Sequence, residues 1–309
     1  MSEPDATTRD AELAAARAWV TRFTGGAREN FSVLSLLVPR EEREHFAAIY
    51  AFCRVADDLA DEVGADASAR GKALESLAVF REGLRAAFSP ASAGIATDAR
   101  WEQLFKALAW TIRERALPPE PFHMLLDAFE ADQSKTRYGS WDELLAYSER
   151  SANPVGRLVL MLLGHRPPPE RPDHAAMFAA SDDICTALQL INFWQDVRRD
   201  LLDRDRIYLP LADCNLDEAT LRTWLAAPPR PEFGRILLPL VDRTERLFDR
   251  GDALFGMLPR SHARLIRAFA EGGRSVVRKV RAIEGATLWT RPRVSAWDKA
   301  RIVIRALVG

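Results

Sequence analysis

The chain has 309 residues, 48% of them apolar, and a formal net charge of -1. That is enough apolar material for one large core, and the near-neutral balance gives no overall basic charge of the kind that draws nucleic acid. Cys53, Cys185 and Cys214 lie too far apart for a zinc site or a disulfide framework, and no run approaches the ~20 apolar residues of a membrane span.

The first dozen residues carry no apolar signal region and read as a loose N-terminus. Residues 41–62 lack both Pro and Gly and read as one helix. Further punctuation falls at 89–94, 118–121, Asn153-Pro154, 167–172, Pro210, 228–231 and Pro292. The segments between these breaks show helical periodicity, and one of them should be a long helix over about 172–202. No stretch alternates long enough to support a strand. The expectation is an all-α single domain over 1–309 with about ten helices. Residues 260–309 hold twelve Lys/Arg against three Asp/Glu, a basic segment on an acidic body. Within it, 295–309 reads as a basic C-terminal helix. The cysteines sit among apolar residues and read as small core side chains, as suits a reduced, cytoplasmic protein.

Two acidic ladders stand out. Residues 50–62 read YAFCRVADDLADE, and 192–210 read NFWQDVRRDLLDRDRIYLP. At about 100° per residue, Tyr50, Arg54, Asp57 and Asp61 share one stripe of their helix. Ala48, Ile49, Phe52 and Val55 lie elsewhere and can pack. Gln189, Asn192, Asp196 and Asp200 form a second stripe, joined by Phe193, while Trp194 points away. Carboxylates at i and i+4 repel by a few tenths of a kcal/mol. A solvated face would tolerate that, but these ladders sit among Ile, Phe, Trp, Leu and Cys, where like charges need a counter-charge. Facing DxxxD helices would give a rim of four carboxylates, which suits magnesium completed by water and substrate phosphate. Arg54 and Arg206 would then hold phosphate oxygens. A di-iron bundle is a weaker reading, since Glu42–His45 and Glu120–His123 fall at helix starts.

Arg54-Val-Ala-Asp57-Asp58-Leu-Ala-Asp61 and Asn192-Phe-Trp-Gln-Asp196-Val-Arg-Arg-Asp200 resemble the two aspartate motifs of the squalene/phytoene synthase family. The likeness extends from Glu29-Asn-Phe-Ser through Tyr147 to Asp205-Arg-Ile-Tyr-Leu-Pro210. It implies an all-α isoprenoid synthase bundle with a central cavity, acting on prenyl diphosphates with two or three Mg2+ ions. The sequence shows no dinucleotide-binding loop, so no redox cofactor is expected. The likeness implies that Asp57, Asp61, Asp196 and Asp200 ligate magnesium-diphosphate, with Asp58 as a further candidate. Arg54 and Asn192 match diphosphate-site positions, and Gln189 lies one turn before. Phe31 and Tyr50 match positions bordering the first prenyl site, Tyr147 one near the reacting carbons. Arg206 and Tyr208 fall in the flexible segment after the second motif.

Asn153-Pro154 and Phe193-Trp194-Gln195 are most similar to the hopanoid-pathway hydroxysqualene synthases within that family. That likeness implies conversion of presqualene diphosphate and water to hydroxysqualene and diphosphate. Phe193 would fill space that a second farnesyl chain needs. Asn153 would either hold the attacking water or cap the following helix. The alternatives are condensation of two farnesyl diphosphates and, more distantly, a non-catalytic helical binding protein. The basic end, Lys299, Arg301 and Arg305 among apolar residues, reads as a last packed helix or as a peripheral contact with an anionic membrane at the inner face. Oligomeric state has no signature here.

Overall fold

The computed structural model describes residues 6–25, 37–61, 67–89, 98–295, 298 and 302. The chain divides into two compact units, Met1–Gln133 with Leu158–Arg166, and Ser134–Arg157 with Pro167–Gly309. No shift in composition announces this division. Among the described residues ten α-helices have ten residues or more.

The first unit holds α1 (Ala6–Gly25), α2 (Arg43–Asp61), α3 (Ala67–Phe88), α4 (Glu102–Arg115) and α5 (Glu120–Ala131). Helix α1 starts at Ala6, so residues 6–12 are helical where the sequence suggests a loose end. The segment is rich in strong helix formers. It packs on α2 and α4, with Ala16 and Val20 fully buried. Helix α2 also packs against α3, α4 and α5. Its inner face carries Ala48, Ile49, Phe52 and Val55, all buried as the wheel requires. Phe52 stacks on Phe80 at 5.3 Å and meets Phe122 edge-on at 5.3 Å. Each such ring contributes about 1.5–3 kcal/mol by leaving water.

The second unit holds β1 (Arg137–Tyr138), α6 (Trp141–Ser151), the start of α7 (Asn153–Leu162), α8 (Ala175–Asp203), β2 (Ile207–Pro210), α9 (Glu218–Leu225), α10 (Pro231–Gly251), α11 (Leu254–Met257) and α12 (Arg260–Ala282). Ser140 and Asp217 cap α6 and α9 by accepting from the backbone N–H groups of Glu143 and Thr220. Helix α8 is the axis of this unit, touching α6, α10, α11, α12 and β2. Trp194 points away from the acidic stripe, as expected. It is fully buried and donates its indole N–H to Thr244 Oγ1 on α10 at 2.8 Å. Gly156 lets the start of α7 lie close on α8: a Cβ there would stand 2.4 Å from Cys185 Sγ and 2.7 Å from Ser181 Oγ.

The parallel pair β1–β2 corrects the expectation of no strands. Arg137 faces Ile207 and Tyr138 faces Pro210, with an irregularity between. Two residues are too few to show a period, and all four residues of β2 are buried, so neither strand alternates. Among the described residues no helix is long and apolar enough to cross a membrane.

Candidate active site

The first ladder closes α2. Tyr50, Arg54, Asp57 and Asp61 are all half-buried, opposite the packed face. The counter-charge comes from within the ladder. Arg54 grips Asp58, with Nη2 at 2.6 Å from Oδ1 and Nε at 3.1 Å from Oδ2, and reaches Asp57 only at 3.8 Å. The Asp57 side chain is the more open, 46% exposed against 29% for Asp58. Of the two neighbours, Asp57 therefore offers its oxygens outward. Gln133 donates to the carbonyl of Ala60 at 3.2 Å, fixing the end of the helix. Burial, with Asp57 adding, pushes the Cys53 thiol up to about 12, so it stays protonated as a packing residue. Phe31 lies outside the described residues, as do residues 299–301 and 303–309 of the basic C-terminal segment.

The second ladder lies on α8. Gln189 is half-buried, Asn192 exposed, Asp196 half-buried and Asp200 buried. Arg291 holds Asp196 through both oxygens, Nε–Oδ1 at 2.5 Å and Nη2–Oδ2 at 3.0 Å, and Arg199 approaches at 3.5 Å. The loop bearing Arg291 is tied to the same helix, since Gln195 donates to the carbonyl of Pro292 at 2.6 Å. Arg204 pairs with Asp200 at 3.2 Å. Sequence reasoning missed Arg291. It stands 95 residues from its partner, and its one trace is the local basic bias.

Tyr208 lies in the buried strand β2, and Arg206 directly before it. Arg206 donates its backbone N–H to the carbonyl of Asp200 at 2.9 Å, and Ile207 to that of Thr136 at 2.9 Å. Tyr208 then stacks face to face on Phe193, centroids 3.9 Å apart and planes 4° apart. Tyr138 and Tyr147 complete the group, 5.5 and 5.8 Å from Tyr208. Phe193, Asp200, Arg206 and Tyr208 line a small, partly open pocket. Aromatic faces beside a carboxylate and a guanidinium can stabilise both a carbocation and a departing anion.

Asn153 is not a cap. It is the first residue of α7, and its buried Oδ1 accepts from Thr186 Oγ1 on α8 at 2.9 Å. Nearby, Ser151 Oγ is buried without a hydrogen-bond partner. Neither Glu-x-x-His pair builds a metal site. His45 bonds Thr111 and stacks on Trp110 at 3.9 Å, and His123 lies beside Arg81. Among the described residues no three His, Cys, Asp or Glu side chains gather as a protein-only metal site needs. The ladders still fit magnesium by chemistry. They offer hard carboxylate oxygens in ones and twos, now balanced by arginines that can re-pair with phosphate.

The squalene/phytoene synthase family model matches residues 24–298. The chain belongs to the squalene/phytoene synthase family. Its members are isoprenoid-biosynthesis enzymes that act on prenyl diphosphates, generally with a divalent metal. The chain is 35% identical over 226 residues to the hydroxysqualene synthase of Rhodopseudomonas palustris, covering 73% of this chain and 70% of that one. It is 28% identical over 278 residues to the phytoene synthase of Thermus thermophilus, covering 90% and 88%. The crystal structure of squalene synthase HpnC from Alicyclobacillus acidocaldarius superposes with a TM-score of 0.74 at 37% identity, covering 89% of this chain and 96% of that one. The fold is thus the all-α isoprenoid synthase bundle that the two motifs imply.

Proposed function

We propose that the protein converts presqualene diphosphate and water to hydroxysqualene, releasing diphosphate in a magnesium-dependent reaction. The observation that carries this reading is the aromatic group of Phe193, Tyr208, Tyr147 and Tyr138 set against Asp200 and Arg206. Hydroxysqualene synthases among the relatives, at 31% and 35% identity, support the choice of product.

In this reading Asp57, Asp61, Asp196 and Asp200, with Asp58 in reserve, hold the metal. Bound magnesium supplies Lewis-acid stabilisation of the leaving diphosphate. Arg54 and Arg291 exchange their carboxylate partners for phosphate oxygens, and Arg206 adds a further guanidinium, which favours the charge that develops on departure. Gln189 and Asn192 orient the diphosphate, and Tyr50 and Phe31 border the prenyl chain. Phe193 and the tyrosine faces stabilise the cation by about 1–2 kcal/mol each and keep bulk water away. Asn153, whose Oδ1 accepts from Thr186, is the candidate to hold the water that quenches the cation to an alcohol.

A second reading is condensation of two farnesyl diphosphates, favoured by the longer span of the phytoene synthase match. The test is incubation of purified protein and Mg2+ with each diphosphate, followed by lipid extraction. Hydroxysqualene from presqualene diphosphate supports the first reading. Efficient formation of presqualene diphosphate from farnesyl diphosphate overturns it in favour of the second.

A further inference from the structure

The chain must turn sharply between the end of α8 at Asp203 and the start of β2 at Ile207. It does so through Asp205, whose φ of 51° lies in the left-handed region that a non-glycine residue enters at a cost. The Arg206 N–H closes the turn on the Asp200 carbonyl at 2.9 Å, and side chains outside the turn add to that hold. Arg137, on β1, uses all five of its N–H donors here, two of them on Asp205 and two on Glu218. Nε and Nη2 donate to Glu218 Oε2 and Oε1 at 2.8 and 2.9 Å. Nη2 also donates to Asp205 Oδ1 at 2.8 Å. Nη1 donates to the carbonyls of Thr136, at 3.0 Å, and of Asp205. Arg222 braces the far side, bonding both Asp205 and Glu218.

We propose that Arg137 is a positioning residue for the reaction: it clamps the turn at Asp205 so that Arg206 and Tyr208 meet the substrate in a fixed pose. The next residue, Arg206, is buried and bonded back to Asp200, and two further on Tyr208 lies on Phe193. A shift at Asp205 is therefore passed directly to a guanidinium and a ring of the candidate site. Arg137, Asp205, Glu218 and Arg222 are partly exposed, and ion pairs in such settings add little to stability. Their yield is geometry, and about 1 Å of misplacement can cost a reaction 100-fold. Lysine, with three donors on one atom, cannot reproduce the fork.

The assignment rests on the functional reading above for its consequence, not for its geometry, and the test separates the two. Hydrogen–deuterium exchange is followed on peptides covering 203–211 in the parent, Arg137→Gln, Arg137→Lys and Glu218→Gln. Turnover of presqualene and farnesyl diphosphates is measured in parallel, with kcat, KM and the Mg2+ half-saturation. Arg137→Gln should exchange at least tenfold faster within 203–211 and not elsewhere, and should lose roughly 10–100-fold in kcat at a nearly unchanged melting temperature. Arg137→Lys should fail to restore either. Glu218→Gln, which weakens two of the five bonds, should lie between and serves where Arg137→Gln does not fold. Unchanged exchange in 203–211, exchange raised across the whole chain, or kcat within twofold of the parent overturns the clamp. If the parent turns over neither diphosphate, the functional reading falls, and the exchange arm still decides the clamp.

Discussion

Replacing Gly156 by alanine should destabilise the protein although alanine is the better helix former. The added Cβ would stand 2.4 Å from Cys185 Sγ and 2.7 Å from Ser181 Oγ, against about 3.5–4.0 Å for a relaxed carbon contact. Both atoms sit one bond from the Cβ of an α8 residue, so relief requires a χ1 rotation or a shift of the helix. Overpacking of this kind costs about 1–3 kcal/mol, and the propensity gained from Gly to Ala returns at most ~1 kcal/mol. The net expectation is a loss of about 1–2 kcal/mol, a fall of several degrees in melting temperature. Circular dichroism melts of Gly156→Ala, Cys185→Ala and the double variant make the test. Cys185→Ala removes the nearer obstruction, so the double variant should be more stable than the summed single losses by roughly 1 kcal/mol. A Gly156→Ala protein that melts at or above the parent, or strict additivity with Cys185→Ala, refutes the close-approach argument.

The two ladders should respond differently to loss of a carboxylate. Asp57→Asn and Asp200→Asn should each abolish turnover. The open Asp57 should leave the melting temperature unchanged, whereas buried Asp200, paired with Arg204, should lose about 1–3 kcal/mol; equal melting temperatures would contradict the assigned environments. Stability should also fall as pH drops from about 6.5 to 4, because burial, then Arg115 and Arg17, lower His45 from 6.5 to about 4. The unfolded chain then takes up a proton that the folded chain refuses, costing about 2 kcal/mol by pH 5, and His45→Gln should remove that part of the slope in urea titrations at pH 7 and 5. Trp194→Phe should cost about 1–2 kcal/mol by leaving Thr244 without its indole donor, and Thr244→Val in the same background should add little further.

Much of the architecture is legible in the residues. Proline and glycine punctuation marks the helices, and the 100° wheel separates Phe193, which joins the aromatic group, from Trp194, which packs on α10. It also puts Phe52 and Val55 inside and Asp57 and Asp61 outside. The need for counter-charges is visible too, but not their source. Arg54 prefers Asp58 to Asp57, and Asp196 is held by Arg291 from a loop far along the chain. Such pairings depend on tertiary approach, which no local period encodes. Strand β1 leaves no mark in the sequence because two residues have no alternation. Asn153 has the residue type and the following proline that favour a cap, yet the Thr186 hydroxyl on α8 takes its acceptor. Residues 6–12 read as loose because their polar pattern shows little periodicity, while packing of their helix on α2 and α4 decides otherwise.

The aromatic group has a spectroscopic consequence. The chain contains four tyrosines. Tyr138, Tyr147 and Tyr208 touch one another, and Tyr50 lies on the stripe of the first ladder. Fluorotyrosine incorporation would thus give a 19F spectrum of four lines, every one from a candidate site position and three from rings in mutual contact. Eight tryptophans spread over the chain would stay silent in it. Diphosphate, Mg2+ or a prenyl chain could each be titrated against that spectrum, and the lines that move would name the end of the substrate each ring meets.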